Sequence, residues 1–297
     1  MKCKWIKKLT AGIIFLAAVG SLSGCQKAAT SENLFRDIEV NMTSVESAEE
    51  NQIVKLQMGD GDSAISQGSN LDIEMIRDPA AVHRKGQQKT NMAGTKETQE
   101  MESYQVEEDG KTVIYSGTDE AWEKNAVEEK ETSSQQTVLF DGLQNLSGAF
   151  SVSQDLATVN KEECFELTGT ISGTQFQETF ADTLKALLGE DSSDLSGWNL
   201  QASEDEENNE ELQQKLNNVK VDCVIDIYRN NILPAKITFD LTDYLKAAGE
   251  ENAQVTSYTL EVTFVSYNDT KKIKVPKAVK ESAKDNGEDE AENSTDE

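Results

Sequence analysis

Apolar residues occupy every second position in three segments of the C-terminal part of the chain. These segments are residues 219–227, 237–241 and 258–264. A period of two is typical of strands that bury one face, and Asn230-Asn231 supplies a turn between the first two segments. The pattern therefore predicts three antiparallel strands with a common apolar face.

Strands and turns also explain the pattern between residues 38 and 125. Residues 102–106 and 111–116 flank Asp109-Gly110, and an Asp-Gly pair suits a type I′ hairpin turn because both central residues need positive φ. Short strands separated by turns at this spacing predict an antiparallel meander.

The clearest helix is predicted over residues 174–188. Thr174 and Gln177 have the spacing of a capping box, and Gly189 stands where a C-terminal cap belongs. Apolar residues recur at helical spacing on one face, namely Phe176, Phe180, Leu184, Leu187 and Leu188. We expect the helix to lay this face on the sheet.

These elements predict a mainly β (α+β) fold of roughly seven to ten antiparallel strands with at least one amphipathic helix. One sheet face is expected to be apolar and the other polar. Residues 37–281 would form one domain, although two weakly related halves divided near residues 130–150 remain an alternative. Residues 282–297 are acidic and lack apolar periodicity, which predicts a disordered tail.

Residues 1–24 have the organisation of a bacterial signal peptide. Four lysines precede an apolar stretch of about 14 residues, which is too short to remain as a membrane-spanning helix of about 20 residues. The stretch ends in Leu22-Ser23-Gly24-Cys25, which resembles the lipobox of bacterial lipoproteins. That resemblance implies lipidation of Cys25 and cleavage after Gly24. The alternative is an ordinary secreted protein with a chance cysteine at the cleavage site.

A lipidated Cys25 would hold the protein on the outer side of the cytoplasmic membrane. Two acyl chains are enough for stable anchoring, and residues 25–36 would serve as a tether. Removal of residues 1–24 takes away four lysines and no acid, so the formal net charge changes from −27 to −31. Such an acidic chain should repel nucleic acid, whose binding depends on Lys and Arg.

Two cysteines remain after processing and lipidation, Cys164 and Cys223. Both lie on predicted strands. A disulfide between them would close a loop of about 60 residues and contribute roughly 4 kcal/mol in the chain-entropy model. The alternative is two buried free thiols.

The sequence offers little that could carry catalysis or hold a metal. His83 is the only histidine, and its neighbours along the chain supply neither a base nor an orienting group. Zinc sites draw on several Cys and His residues. Asp60-Gly61-Asp62 suggests calcium, but Ala64 and Ile65 stand where an EF-hand loop needs an oxygen ligand and a glycine. We expect no catalytic residue, cofactor or metal.

Three stretches resemble the LolA/LppX-like (LprG-type) lipoproteins, a group that includes small Gram-positive members. They are residues 110–124, residues 165–188, and the ending from Phe264 through Pro276. A helix is expected to begin near Ser31, but the long first helix usual in that family is shortened or missing here. The resemblance implies a strongly curved antiparallel half-barrel, with helices on its concave face and an apolar cavity between them.

In that family the cavity binds lipids or other amphiphiles. The candidate cavity residues here lie on the helix and on the C-terminal strands: Phe176, Phe180, Leu184, Leu187, Ile225, Ile227, Ile237, Phe239, Tyr258, Leu260, Val262 and Phe264. Periodicity cannot separate a cavity wall from a filled core, because protein interiors are close-packed. Both interpretations stay open at this point.

The leading functional hypothesis is therefore a non-catalytic, membrane-anchored lipoprotein that binds a hydrophobic or amphipathic ligand such as a lipid. A second hypothesis is an envelope interaction or sensory module with a solid core, whose protein partner the sequence does not identify. The third is an envelope hydrolase, which the lack of a reactive constellation disfavours.

Overall fold

The computed structural model describes most of the chain between residues 29 and 285. The described ranges are 29–59, 64–92, 94–118, 121–127, 143–188, 212–248 and 254–285, with the backbone alone at 127, 181–188, 248 and 285. The predicted signal peptide, Cys25, Gly189 and the side chains of Leu184 and Leu187 lie outside this part. Their predicted roles stay predictions.

Within the described residues the chain forms twelve strands and several helices. The strands are β1 (Ser47–Met58), β2 (Ile65–Ile76), β3 (Ala81–Met92), β4 (Thr95–Glu108), β5 (Lys111–Thr118), β6 (Ala121–Val127), β7 (Phe150–Val159), β8 (Glu162–Ser172), β9 (Lys220–Tyr228), β10 (Pro234–Asp240), β11 (Val255–Tyr267) and β12 (Lys284–Asp285). The helices are α1 (Ser31–Met42), α2 (Gly173–Leu188), α3 (Thr242–Ala248), α4 (Lys277–Ser282) and a 3-10 helix at Leu143–Ala149.

All twelve strands belong to one open sheet, in the order β12-β6-β5-β4-β3-β2-β1-β11-β10-β9-β8-β7. Strands β1–β6 form one antiparallel meander and β7–β11 a second. The two meanders join where β1 pairs with β11, and only the short β12 runs parallel to its neighbour, β6. The predicted mainly β, antiparallel fold is confirmed, and the open sheet is consistent with a half-barrel.

The sheet has more strands than the predicted seven to ten because its N-terminal strands carry weak patterns. In β4, residues 95–101 are exposed at every position, so no apolar alternation marks that part of the strand. The expected Asp109-Gly110 turn is confirmed, since both residues have positive φ, 53° and 77°.

The inner face is the sheet face against which the helices pack. Across β8–β11 it consists of apolar side chains that share one core with helix residues. Register fixes which residues meet: Ile237 on β10 lies opposite Ile225 on β9 and Val262 on β11. This face provides the main core of the protein.

The outer face is not uniformly polar, contrary to the prediction. Tyr104, Val113, Tyr115 and Trp122 form a second apolar cluster on β4–β6, together with Val279 of α4. The segment after β11 supplies this cover.

Two predicted boundaries also change. The tether was expected to extend to residue 36, but α1 begins at Ser31, and its Leu34 and Phe35 lie in the main core. The acidic tail was expected from residue 282, but residues 284–285 pair with β6.

Candidate ligand-binding site

The predicted cavity residues on the strands come together on the inner face. All eight are buried and belong to the same core. Phe239 lies opposite Leu260 on β11 and Cys223 on β9. The sheet therefore presents a continuous apolar surface across β9, β10 and β11.

Helix α2 covers this surface through two phenylalanines. The ring centroids of Phe176 and Phe180 lie 5.3 and 5.0 Å from that of Phe239. Tyr244 of α3 lies 5.0 Å from Phe176. Such distances are those of favourable aromatic pairs. The two predicted covering residues that the structure describes are therefore in direct contact with the sheet.

The start of α2 differs from its prediction by two residues. The capping box is formed by Ser172, whose hydroxyl accepts from the backbone N–H of Gln175 at 3.1 Å, while the Gln175 side chain accepts from the backbone N–H of Ser172 at 3.0 Å. Thr174 and Gln177 instead contact Asn217 and Gln213. The reciprocal pair ties the helix directly to the end of β8.

Helix α1 adds a part of the site of which the sequence predicted only a start near Ser31. Its Leu34, Phe35, Ile38 and Met42 are buried in the main core, and Phe35 packs edge-on against Phe150 of β7 at 5.2 Å. The signal was present as apolar residues at spacings of three and four, so a period search beginning at Ser31 could have found the helix.

Polar side chains interrupt the inner face on β1. Glu50 is 2% exposed and lies opposite Phe264 on β11, next to Ile73 on β2. Neither carboxylate oxygen has a hydrogen-bond partner within the described part of the chain. Burial raises the pKa of Glu50 to about 7, and the positive charge of Arg84 on β3 opposes that rise.

Arg84 occupies the same row of the sheet as Glu50, two strands away. Ile73 of β2 is the register partner of both residues. Since neighbouring strands are about 4.8 Å apart, the two side chains start roughly 10 Å apart on one face. The inner face thus has an apolar half on β8–β11 and a charged row on β1–β3.

His83 has neighbours that its sequence position did not reveal. Its Nε2 lies 3.0 Å from Oε1 of Glu102 on β4, and its Nδ1 lies 3.5 Å from Oε2 of Glu74 on β2. The ring stacks on Tyr104 with centroids 4.3 Å apart. The expectation that nothing would orient His83 is therefore wrong, because the orienting carboxylates come from adjacent strands.

Glu102 is the centre of this outer-face cluster. It accepts hydrogen bonds from Tyr104 at 2.7 Å and from Lys85 at 3.1 Å. Burial would raise the pKa of Glu102, but the hydrogen bonds from Tyr104, His83 and Lys85 outweigh burial and lower it. These contacts join side chains of β3 and β4, which is a structural role for His83.

Of the two alternatives for Cys164 and Cys223, the structure shows two buried free thiols and no disulfide. On the paired strands β8 and β9, Cys164 lies opposite Tyr228 and Cys223 lies opposite Gly169. Five residues of strand separate the two positions, roughly 17 Å, and an odd spacing puts them on opposite faces. A disulfide needs Cα atoms within about 7 Å.

Neither a metal centre nor a membrane-spanning helix is found in the part of the chain that the structure describes. No cluster of three or more His, Cys, Asp or Glu side chains there could hold a metal ion. No helix there has the length and apolar character needed to cross a bilayer.

Several solved structures are similar to this chain over most of its length. Lipoprotein LppX of Mycobacterium tuberculosis is 12% identical, covering 82% of this chain and 98% of its own, with a TM-score of 0.42. LprF of Mycobacterium bovis is 10% identical, covering 83% and 96%, with a TM-score of 0.44. A putative outer membrane lipoprotein-sorting protein domain of Vibrio parahaemolyticus is 8% identical, covering 82% and 95%, with a TM-score of 0.25.

Identities this low, with TM-scores below 0.5, carry no argument about ligand or activity. A comparison with curated proteins found no match. One family model matches residues 30–284, nearly the whole described fold from α1 to β12. The chain therefore belongs to the family described as a family of unknown function, DUF6612.

Proposed function

We propose that this protein is a membrane-anchored lipoprotein that binds a lipid or similar amphiphile between the inner face of its sheet and the covering helices. The observation that carries the proposal is the apolar inner face of β9–β11, which helices cover through side-chain contacts. Phe176 and Phe180 meet Phe239 by ring contacts. A helix that covers a sheet through its side chains can move away from the sheet without breaking a strand ladder.

The same surface explains why a ligand would gain from the site. Burial of apolar surface contributes about 25 cal/mol per Å², and acyl chains could replace the contacts that the helices lose. The charged row on β1–β3 gives the same face a polar end, which suits an amphiphile better than a pure hydrocarbon.

The proposed anchor would place this site close to a source of lipid. Lipidation of Cys25 leaves five residues, 26–30, before α1 begins at Ser31. A chain of that length spans at most roughly 18 Å. The fold would therefore stay within reach of the membrane surface, and its ligand could exchange with the bilayer.

Native mass spectrometry of the full protein, extracted from cell membranes in mild detergent, tests this proposal. We expect an added mass of one lipid per chain, beyond the acyl groups on the N-terminal cysteine. The matched control is Cys25→Ala, which lacks the anchor and should still bind lipid added as mixed vesicles. A protein that carries no lipid from cells and takes up none from vesicles would contradict the proposal.

The second candidate is an envelope interaction module with a solid core. Close ring contacts and the nearly complete burial of the inner-face residues favour it. Crosslinking in cells separates the two functions, since a stoichiometric protein partner and no bound lipid would support the module.

Catalysis is not part of the proposal. The one cluster with a histidine, around His83 and Glu102, has its hydrogen bonds directed at strand neighbours. Absence of hydrolysis across ester, peptide and glycoside substrates is the expected result, and turnover of any of them would contradict it.

A further inference from the structure

Glu50 is a buried ionisable residue among apolar neighbours. It lies at an inner-face position of β1, between Phe264 on one neighbouring strand and Ile73 on the other. Leu56 lies on the same face of β1 and is buried in the main core. It shows the kind of residue that such a position normally holds. A carboxyl group at this position therefore calls for a specific reason.

Burial of the Glu50 carboxyl group also destabilises the folded protein. Both carboxylate oxygens are buried without a hydrogen-bond partner within the described residues. A buried polar group left unsatisfied destabilises the folded state, more so if it is charged, and native proteins satisfy most such groups. A site that accepts hydrogen bonds from a ligand would relieve this cost only when the ligand is bound.

The surroundings of Glu50 define the chemistry of that ligand. Its own negative charge disfavours an anionic head group, and Arg84 in the same row disfavours a cationic one. A neutral head that donates hydrogen bonds is compatible with both charges. Hydroxyl groups of glycerol or of a sugar meet this requirement.

An apolar surface on which acyl chains could lie extends from Glu50 along β11. Phe264 is the register partner of Glu50, and Val262 and Leu260 follow on the same face of β11. Acyl chains that run along this surface toward Phe239 would leave the head group beside β1. The head and the chains of one amphiphile therefore fit the two halves of the inner face.

We propose that Glu50 accepts a hydrogen bond from a hydroxyl group on the lipid head, so that the protein selects neutral lipids with a free hydroxyl group over anionic phospholipids. This inference rests on the proposed lipid-binding function and names the class of lipid. Diacylglycerol and glycosylated diacylglycerol share the required chemistry.

The test offers the full detergent-extracted protein vesicles of phosphatidylcholine that contain equal amounts of dioleoylglycerol, a diglucosyl diacylglycerol and phosphatidic acid. Native mass spectrometry then measures which lipid is bound. We expect the wild type to prefer dioleoylglycerol and the diglucosyl diacylglycerol over phosphatidic acid. The comparison between the two preferred lipids shows whether the protein recognises a glycerol hydroxyl or a sugar hydroxyl.

Glu50→Met removes the acceptor while keeping side-chain length and volume. Because a hydrogen bond to a charged group contributes about 1.5–3 kcal/mol, the preference should fall by about tenfold or more. Glu49→Met is the matched control, because Glu49 is the adjacent residue on the opposite face and its substitution should leave the preference unchanged. A thermal melt confirms that both variants fold.

An unchanged preference in Glu50→Met, or a wild type that selects phosphatidic acid, would overturn the inference and leave lipid binding intact. If the wild type binds none of the lipids, the proposed function fails, and this inference fails with it.

Discussion

Replacement of Glu50 by glutamine should remove a large part of the pH dependence of stability between pH 5 and pH 8. In the folded protein burial raises the pKa of Glu50 to about 7, against an ordinary value of 4.5. Between these two values the folded state binds more protons than the unfolded state. Stability contributed by this group therefore falls as the pH rises through that window and is lowest above pH 7.

The magnitude follows from the two pKa values. A shift of one unit corresponds to about 1.36 kcal/mol, so the full penalty on the wild type above pH 7 is about 3 kcal/mol. At pH 5 the penalty is below about 1 kcal/mol, because the unfolded carboxyl is only partly ionised. The free-energy difference between Glu50→Gln and the wild type should thus grow by about 2.5 kcal/mol from pH 5 to pH 8.

Thermal or urea unfolding of both proteins at several pH values measures this difference. For a domain of this size 1 kcal/mol shifts Tm by about 2–4 °C, so the gain in Tm at pH 8 should exceed that at pH 5 by about 5–10 °C. Glu49→Gln, on the opposite face of β1, is the control and should show no such growth. A Glu50→Gln effect that is equal at pH 5 and pH 8 would refute the assignment of a buried carboxyl whose pKa is raised.

Four other predictions concern the core, the outer face, α2 and the cysteines. Phe239→Ala removes the ring on which α2 packs and should destabilise the protein by about 3–5 kcal/mol; a loss below about 1 kcal/mol in urea unfolding would show that the helix does not pack there. Burial, followed by the charge of Glu166, raises the pKa of Asp226 to about 6, so Asp226→Asn should raise Tm at pH 8 and have little effect at pH 4, and the opposite order would contradict this sign. Ser172→Ala should cost about 1 kcal/mol through loss of the capping box, whereas Thr174→Ala should cost less, and a reversed ranking would favour the cap predicted from sequence. Cys164 and Cys223 should both resist a thiol reagent in the native protein and react after unfolding without reductant, because they are buried and unbridged; two unreactive thiols in the unfolded protein would indicate a disulfide.

The C-terminal meander was predictable because its inner-face residues alternate with polar ones. In β11 the burial pattern from residue 258 to 264 switches at every position, and the sequence shows the same period. The hairpin at Asp109-Gly110 was predictable for a local reason, the need for positive φ at both residues.

The N-terminal strands were harder because neither of their faces is consistently apolar. Arg84 faces the inner side and His83 the outer side of β3, and their partners, Glu50, Glu74 and Glu102, come from other strands. These contacts depend on the register between neighbouring strands. The residue pattern within one strand does not reveal that register.

The same reason explains why the sequence left the pairing of the cysteines open. Cys164 and Cys223 both lie on strands, as expected, and those strands are neighbours. Only the register shows that the two thiols are five residues apart and on opposite faces. The loop-entropy argument for a disulfide used only the number of residues between the two cysteines. That number does not show on which face of the sheet each thiol lies.

Photolabelling shows whether lipid chains lie between the inner face and the helices. A diacylglycerol with a diazirine in its acyl chain is supplied to cells that make the full protein, and labelled residues are mapped by mass spectrometry after irradiation. The account predicts labels on inner-face residues of β9–β11, such as Ile237 and Phe239, and on Phe176 of α2. Labels confined to the outer-face cluster around Tyr115 and Trp122, or to the N-terminal peptide at Cys25, would contradict it.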